Sequence, residues 1–179
     1  MTRLSAALAV LLLLAAVPAA AQTVAQSAAE YPEDSPNWLP MDDAVASAQN
    51  DGDIVLIHAY ATWCGWCREQ DATTYTDDAV QAYLAEHYKV TRLDIESPEP
   101  VNFFGGQVPM SELGEALGVS STPTTIFVDS NGSYMTHAPR YIPPERFLLV
   151  LRYVQERAYE MMEFGDYVEM IEASEGYGG

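Results

Sequence analysis

Four consecutive apolar residues, Ile54-Val55-Leu56-Ile57, constrain the fold of this 179-residue chain more than any other feature. They follow a polar break at residues 50–53, which ends the preceding helical pattern. A continuous apolar run is typical of a strand that is buried on both faces, because a strand with one exposed face alternates apolar and polar residues. The run therefore predicts a central strand in a sheet.

The residue patterns predict further elements on both sides of this strand. In chain order they are a helix at 41–49, the strand at 54–57, a helical stretch to about 74, a helix at 77–87, a strand at 89–95, a loop at 97–109, a short helix at 110–117 closed by Gly118, strands at 124–128 and 133–136 joined by an Asn131-Gly132 turn, a helix at 143–162, and a tail at 165–179 with one weak turn. The first strand, the helices after it and the strand at 89–95 form a predicted β-α-β unit.

The N-terminus has the pattern of a secretory signal peptide. Arg3 precedes an apolar run at 8–17, and Ala19-Ala20-Ala21 provides a small-residue cleavage site. We therefore expect a signal peptide at 1–21, a flexible leader at 22–40, one domain at 41–162 and a C-terminal tail at 163–179. The mature protein is then exported, periplasmic or otherwise extracytoplasmic, and soluble with no membrane span; an uncleaved N-terminal anchor is the alternative.

The charge balance excludes one class of partner. The chain has 8 Lys and Arg against 26 Asp and Glu, a formal net charge of −18. Because binding to nucleic acid needs a basic surface that neutralises phosphates, nucleic acid is not an expected partner. The acidic residues follow no motif, and they suit either a solvated surface for high salt or an ordinary exported protein.

The two cysteines, Cys64 and Cys67, are separated by only two residues. A disulfide that closes so small a loop constrains the unfolded chain little, which argues against a purely structural bridge. At the start of a helix, the first thiol would lie where unpaired N–H groups stabilise a thiolate, and the second would lie one turn further on. A zinc site needs two more ligands, and the three histidines are scattered, so we expect no metal and no cofactor beyond the cysteine pair.

The segment Tyr60-Ala61-Thr62-Trp63-Cys64-Gly65-Trp66-Cys67-Arg68, followed by Gly118-Val119 and Thr122-Pro123-Thr124, resembles the thioredoxin superfamily. The resemblance implies an α/β thioredoxin-like fold, with a central mixed sheet flanked by helices on both faces. Within the superfamily the chain is most similar to exported thioredoxin-related proteins of the sulfur-oxidation-associated type. Thr74-Tyr75 and Arg140-Tyr141-Ile142-Pro143 contribute to this narrower resemblance.

The resemblance also implies roles for individual residues. Cys64 is expected to be the exposed attacking thiol and Cys67 the buried thiol that resolves the mixed disulfide. Pro123 is expected to follow a cis peptide bond and to present the backbone of Thr122 to an extended substrate. Trp63 is expected to form an apolar platform beside the site, or to be an ordinary half-buried aromatic residue.

Three positions depart from the pattern of a reducing thioredoxin. His58 stands six residues before the first cysteine, where many thioredoxins have a buried Asp. A neutral imidazole there could accept the proton of the resolving thiol, a protonated one would favour the thiolate, and a third interpretation is that His58 only packs in the core. Trp66 replaces the usual Pro inside the motif, and Thr122 replaces the Ile before the cis-proline.

The function implied by the resemblance is that of a thiol–disulfide oxidoreductase, with Cys64-Gly65-Trp66-Cys67 as its redox site. We expect a protein-disulfide reductase that acts on disulfide-containing exported proteins and is recharged by a membrane electron-transfer partner. The alternatives are an oxidase or isomerase that donates disulfides, and a thioredoxin-like module that binds copper or peptide.

Overall fold

The structure is a computed structural model, which describes residues 35–176 and, at 175 and 176, the backbone alone. The predicted signal peptide and the leader as far as residue 34 lie outside these residues. The helices are α1 Met41–Asp51, α2 Gly65–Thr73, α3 Asp78–His87, α4 Met110–Ala116, α5 Pro144–Gln155 and α6 Phe164–Gly176, with a 3₁₀ turn at Ala158–Glu160. The strands are β1 Ile54–Tyr60, β2 Tyr88–Asp94, β3 Pro100–Phe103, β4 Gly106–Pro109, β5 Thr124–Val128 and β6 Tyr134–Pro139.

The main sheet has four strands in the order β2-β1-β5-β6. β1 pairs with β2 in parallel and with β5 in antiparallel orientation, and β5 pairs with β6 in antiparallel orientation. The sheet is therefore mixed, and the β-α-β unit is confirmed because β1, α2, α3 and β2 follow each other in the chain. The other two strands, β3 and β4, form a separate hairpin.

Two apolar cores lie on opposite faces of this sheet. Leu56 and Phe127 pack with residues of α3, α5 and α6 on one face, while Val55 and Ile57 pack with residues of α1 and α4 on the other. Successive side chains of a strand point to opposite faces, so a strand covered by helices on both sides is mainly apolar on both of its faces. This confirms that the run at 54–57 is a central strand with helices on both faces of its sheet.

The turn between β5 and β6 was also predictable from local sequence. Gly132 has a φ of +89°, its N–H donates to the Asp129 carbonyl at 2.8 Å, and the Asp129 N–H donates to the Ser133 carbonyl at 2.9 Å. A positive φ is easily adopted by glycine, which has no Cβ. The predicted Asn131-Gly132 hairpin is confirmed.

The segment at 97–109 was predicted as a loop, and this prediction is wrong. β3 and β4 form an antiparallel hairpin in which Val101 is buried against the second core. The N–H of Asn102 donates to Asp42 Oδ1 on α1 at 2.9 Å, which holds the hairpin against that helix. The high Pro and Gly content indicated a loop because these residues weaken a strand, but here tertiary contacts outweigh local preference.

The prediction for the C-terminal region is also wrong. The predicted helix at 143–162 ends at Gln155, and Arg157 has a φ of +55°, which breaks the helical path. The predicted weak turn after residue 165 is the 13-residue helix α6. Tyr167 of α6 is fully buried in the first core, and its hydroxyl donates to Glu156 Oε2 at 2.9 Å. Helix α6 is thus held by packing on α5.

Candidate active site

The cysteine pair lies where the central strand ends and the next helix begins. After β1, a tight turn in which the Cys64 N–H donates to the Ala61 carbonyl at 3.0 Å leads directly into α2. Cys64 is the residue that caps α2, and Cys67 lies in its first turn. The two sulfurs form a disulfide of 2.07 Å, and the N–H of Cys67 donates to Cys64 Sγ at 3.0 Å. The unpaired N–H groups of this helix end favour negative charge on Cys64 once the disulfide is reduced.

The exposure of the two cysteines differs from the prediction. Cys64 is 3% exposed and Cys67 is 2% exposed, so the expected contrast between an exposed and a buried cysteine is absent. Both pack in a small apolar cluster with Ala61, and Tyr60 and Ile95 border it. What distinguishes the cysteines is the direction of the hydrogen bond, because only the Cys64 sulfur accepts an N–H from the helix.

The two tryptophans of the motif are exposed beside this buried disulfide. Trp63 is 65% exposed and Trp66 is 63% exposed, and such large apolar side chains at a surface commonly mark an interaction site. The Trp66 ring lies 5.5 Å from that of Tyr141. Gly65 opens α2, and a Cβ placed there would approach only Arg68 Nη2, at 3.8 Å, so packing does not require glycine at this position.

A groove of about 310 Å³ lies next to the cysteine motif, and it is lined by Trp66, Thr122, Pro123, Arg140 and Tyr141. The Thr122–Pro123 peptide bond is cis. Within residues 35–176, the hydroxyl of Thr122 has no hydrogen-bond partner although it is buried. The structure thus places Trp66, Thr122 and Pro123, which are distant in sequence, around one groove.

His58 lies beneath the site, on the face of the sheet that α2 covers. In the sheet register it stands between Arg92 of β2 and Thr125 of β5. Its side chain is fully buried, and its Nδ1 is 3.3 Å from the hydroxyl of Tyr75. Burial lowers the pKa of His58 well below its usual value, and the positive charge of Arg92 lowers this pKa further. The imidazole is therefore neutral at pH 7, which removes the interpretation in which a protonated His58 favours the thiolate.

A buried ion pair adjoins His58. Asp71 of α2 accepts two hydrogen bonds from the guanidinium of Arg92, at 3.2 and 3.0 Å, and its Oδ1 is 3.7 Å from His58 Nε2. The guanidinium also lies over the ring of Tyr60, 4.3 Å from the ring centre. Burial raises the pKa of Asp71 although Arg92 acts in the opposite direction. Asp71 follows Cys67 by one helical turn, and both side chains are on the buried side of α2.

The sequence analysis missed Asp71, Arg92 and Arg140 as parts of the site. Asp71 carried a signal, because a residue four positions after Cys67 must lie on the same helix face. Arg92 lies in the predicted strand at 89–95, and nothing in the sequence of that strand indicates that its guanidinium pairs with a residue of the helix after the cysteines. Arg140 was noted only as part of the resemblance, because nothing local indicates that it lies beside Pro123.

The residues described here contain no group of three or more His, Cys, Asp or Glu side chains that could hold a metal ion. Across the same part of the chain, every helix is too short or too polar to cross a bilayer.

Comparison with known proteins agrees with the fold. Residues 41–155 match the thioredoxin-like domain family. The chain belongs to this family. Among curated proteins it is similar to the thiol:disulfide interchange protein DsbD of Actinobacillus pleuropneumoniae, with 33% identity over 87 residues, which cover 49% of this chain and 13% of that protein. The chain therefore corresponds to only a small part of the length of this relative.

Two solved structures support the fold. A thioredoxin-fold protein from Helicobacter pylori superposes with a TM-score of 0.59 at 21% identity, covering 71% of this chain and 84% of the other. A thioredoxin from Thermus thermophilus superposes with a TM-score of 0.53 at 27% identity, covering 67% of this chain and 87% of the other. The thioredoxin-like fold, with its mixed sheet between helices, is thereby confirmed.

Proposed function

We propose that this protein is a thiol–disulfide oxidoreductase that reduces disulfides in exported proteins. The observation that carries the proposal is the Cys64–Cys67 disulfide at the start of α2, where the Cys67 N–H donates to Cys64 Sγ beside the groove at Pro123. The similarity to a thiol:disulfide interchange protein supports the same reaction class.

The reaction begins from the reduced pair. The Cys64 thiolate attacks a substrate disulfide, one substrate sulfur leaves as a thiolate, and a mixed disulfide joins Cys64 to the substrate. Cys67 loses its proton and attacks Cys64 Sγ, which releases the second substrate thiolate. Two electrons pass from the enzyme to the substrate. The two substrate thiolates take up one proton from Cys67 and one from solvent, which replaces the proton that Cys64 lost earlier, and the enzyme is left with the Cys64–Cys67 disulfide.

The groove beside the motif provides a place for the substrate. An extended segment can pair with the backbone at Thr122 as an added strand, and its apolar side chains can pack on the exposed rings of Trp63 and Trp66. Only a few per cent of either cysteine is exposed. The substrate disulfide must therefore come into direct contact with the surface around Cys64 before its sulfur can be attacked.

The pair of His58 and Asp71 has a place in the proton transfer. We assign to Asp71 the acceptance of the proton from the Cys67 thiol, because it lies one turn along the same buried face and because burial raises its pKa, which makes the carboxylate a better base. Arg92 positions this carboxyl group through its two hydrogen bonds, and neutral His58 packs beside it with Nε2 3.7 Å from Asp71 Oδ1.

The direction of the reaction and the compartment are further parts of the proposal. The pattern of a signal peptide supports export, and an exported reductant needs a membrane electron carrier that restores its dithiol.

The equilibrium reduction potential against glutathione tests the direction. A potential near about −270 mV is expected for a reductant, whereas one near about −120 mV would identify a disulfide donor and contradict the proposed direction. Measuring His58→Asp in parallel tests position 58. An unchanged potential and exchange rate would show that His58 only packs in the core.

Trapping of mixed disulfides tests the roles of the two thiols. Cys67→Ser cannot resolve the intermediate, so we expect it to retain partner proteins on Cys64 that dithiothreitol releases. Cys64→Ser is the matched control and should retain far fewer, because the remaining thiol lacks the N–H of the helix end. The proposal fails if the purified protein neither reduces insulin nor oxidises a dithiol peptide and neither variant retains a partner.

A further inference from the structure

The groove beside the cysteine motif shares two of its lining residues with a second cavity. Arg140 and Tyr141 line both the groove and a cavity of about 460 Å³ bordered by β6, α5 and the first residue of α6. Among the residues that line the second cavity are His137 and Arg146. A segment lying against Pro123 would therefore reach this cavity by passing Arg140.

Two exposed arginines give this region an unusual charge. The chain contains 8 basic residues against 26 acidic ones. Lys89, Arg92 and Arg157 all form ion pairs with carboxylates. Within the described part of the chain, no ion pair is formed by Arg68, Arg140, Arg146 or Arg152, and of these four only Arg140 and Arg146 line the second cavity. The guanidinium of Arg146 lies over the Phe164 ring, 5.1 Å from its centre, and such stacking leaves the N–H groups at its edge available to a ligand.

The loop that carries Arg140 is hydrogen-bonded both to Pro123 and to the C-terminal end of α2. Arg140 has a φ of +74°, a conformation that is unfavourable for a residue with a Cβ, and its N–H donates to the Pro123 carbonyl at 2.8 Å. The next two residues are tied to α2, through a hydrogen bond of 3.2 Å between the Tyr141 and Thr73 hydroxyls and one of 2.7 Å from Thr74 to the Ile142 carbonyl. Arg140 is thus kept beside the redox motif despite its unfavourable backbone.

We propose that Arg140 and Arg146 form a subsite for carboxylate side chains of the partner protein, close in sequence to its reacting cysteine. The inference rests on the proposed oxidoreductase function. Guanidinium groups bind carboxylates through paired hydrogen bonds, which fix orientation as well as adding affinity. Glu163 lines the second cavity too, and its carboxylate repels an anion, so the contact is expected on the side nearest Arg140.

The subsite selects how a partner binds more than how fast it arrives. The net charge of −18 repels acidic proteins at long range, so the local positive charge acts mainly once the partner is in the groove. It favours the register in which an acidic residue lies next to Arg140.

Cysteine peptides activated as mixed disulfides with 2-thiopyridine provide the test. The Cys64 thiolate of the reduced enzyme attacks the peptide sulfur and releases 2-thiopyridone, and Cys67 then releases the peptide thiol and leaves the enzyme disulfide. Two sets of peptides carry Glu, Gln or Lys at one position, either before or after the cysteine. In at least one set we expect the Glu peptide to react about fivefold faster than the Gln peptide, equivalent to about 1 kcal/mol, and the Lys peptide to react more slowly still.

Matched variants separate the local subsite from overall charge. The Glu-to-Gln rate ratio should fall in Arg140→Gln and in Arg146→Gln and reach about one in the double variant. It should persist in Arg152→Gln, which removes one positive charge, as each single variant does, from a part of α5 outside both cavities. Higher salt should lower the wild-type ratio.

Four results would overturn the inference. A wild-type Glu-to-Gln rate ratio of one in both sets of peptides refutes the subsite without any variant, and so does a Lys peptide that reacts faster than the Glu peptide. If all peptides still react with the enzyme, the oxidoreductase function stands. An equal loss of preference in Arg152→Gln shows an effect of net charge alone. Release of 2-thiopyridone no faster than with Cys64→Ser/Cys67→Ser refutes the oxidoreductase function itself, and the subsite with it.

Discussion

Burial of His58 should make the folded protein less stable in mild acid. The imidazole stays neutral in the folded state because burial and Arg92 lower its pKa, whereas in the unfolded chain it titrates near its usual pKa of about 6.5. Below that pH the unfolded state binds one more proton than the folded state. The free energy of unfolding therefore rises with pH through this region, and the contribution of His58 is lost as the pH falls below about 6.5.

The size of this effect follows from one proton. Protonation of a free imidazole stabilises the unfolded chain by about 0.1 kcal/mol at pH 7.5 and by about 1.4 kcal/mol at pH 5.5, provided that the folded state remains unprotonated. The wild-type protein should thus lose about 1.3 kcal/mol through His58 between these two pH values. The assay is urea unfolding of the oxidised protein at pH 7.5, 6.5 and 5.5, with His58→Gln as the comparison.

The difference between wild type and His58→Gln isolates this proton, because all other titrating groups are present in both proteins. His87→Gln is the matched control for the substitution itself, since it replaces a histidine whose side chain is partly exposed at the end of α3. Equal slopes for wild type and His58→Gln would refute the reasoning. A proton NMR titration of the wild-type imidazole supplies an independent check, and a midpoint above pH 6 for His58 would also contradict it.

Three further substitutions test other parts of the structure by urea unfolding. Arg92→Met should lower the free energy of unfolding by about 3 kcal/mol, because it leaves the Asp71 carboxylate buried without its cation. The double variant Asp71→Asn/Arg92→Met should recover part of this loss, and additive losses from the two single substitutions would contradict a coupled pair. Tyr167→Ala should cost about 3–5 kcal/mol, and a loss below about 1 kcal/mol would show that α6 is not part of the core. Gly132→Ala should lower the free energy of unfolding by about 1–3 kcal/mol, because residue 132 has a positive φ and its Cβ would lie 2.8 Å from a phenyl ring of the β3–β4 hairpin. Gly165→Ala is the control: its Cβ would have no neighbour within 4 Å, so the substitution should be neutral or slightly stabilising.

The parts of the candidate site that sequence predicted are those with a local signal. The cysteine pair at the start of a helix follows from its position after a buried strand, and the placement of Thr122 and Pro123 beside it followed from the resemblance to thioredoxins. The environment of His58 was left open, because its protonation depends on Arg92, Asp71 and the depth of burial. None of these quantities can be read from neighbouring residues.

The C-terminal region shows the same limit for the fold. Helix α5 was predicted from its apolar spacing, but its end was placed seven residues too late because the break at Arg157 has no glycine or proline to announce it. Helix α6 has weak local signals and is held by burying Tyr167 against α5. A helix stabilised mainly by tertiary packing is hard to recognise from its own residues.

The sequence by itself determined the central strand, the β-α-β unit, the Asn131-Gly132 turn and the cysteine motif, since each depends on residues a few positions apart. Tertiary structure decided that both cysteines are buried, that His58 is neutral beside the Asp71–Arg92 pair, and that Arg140 lies next to Pro123. The physical reason is separation along the chain. The contact of Tyr141 with α2 joins residues 68 positions apart, and such contacts exist only once the sheet and helices have packed together.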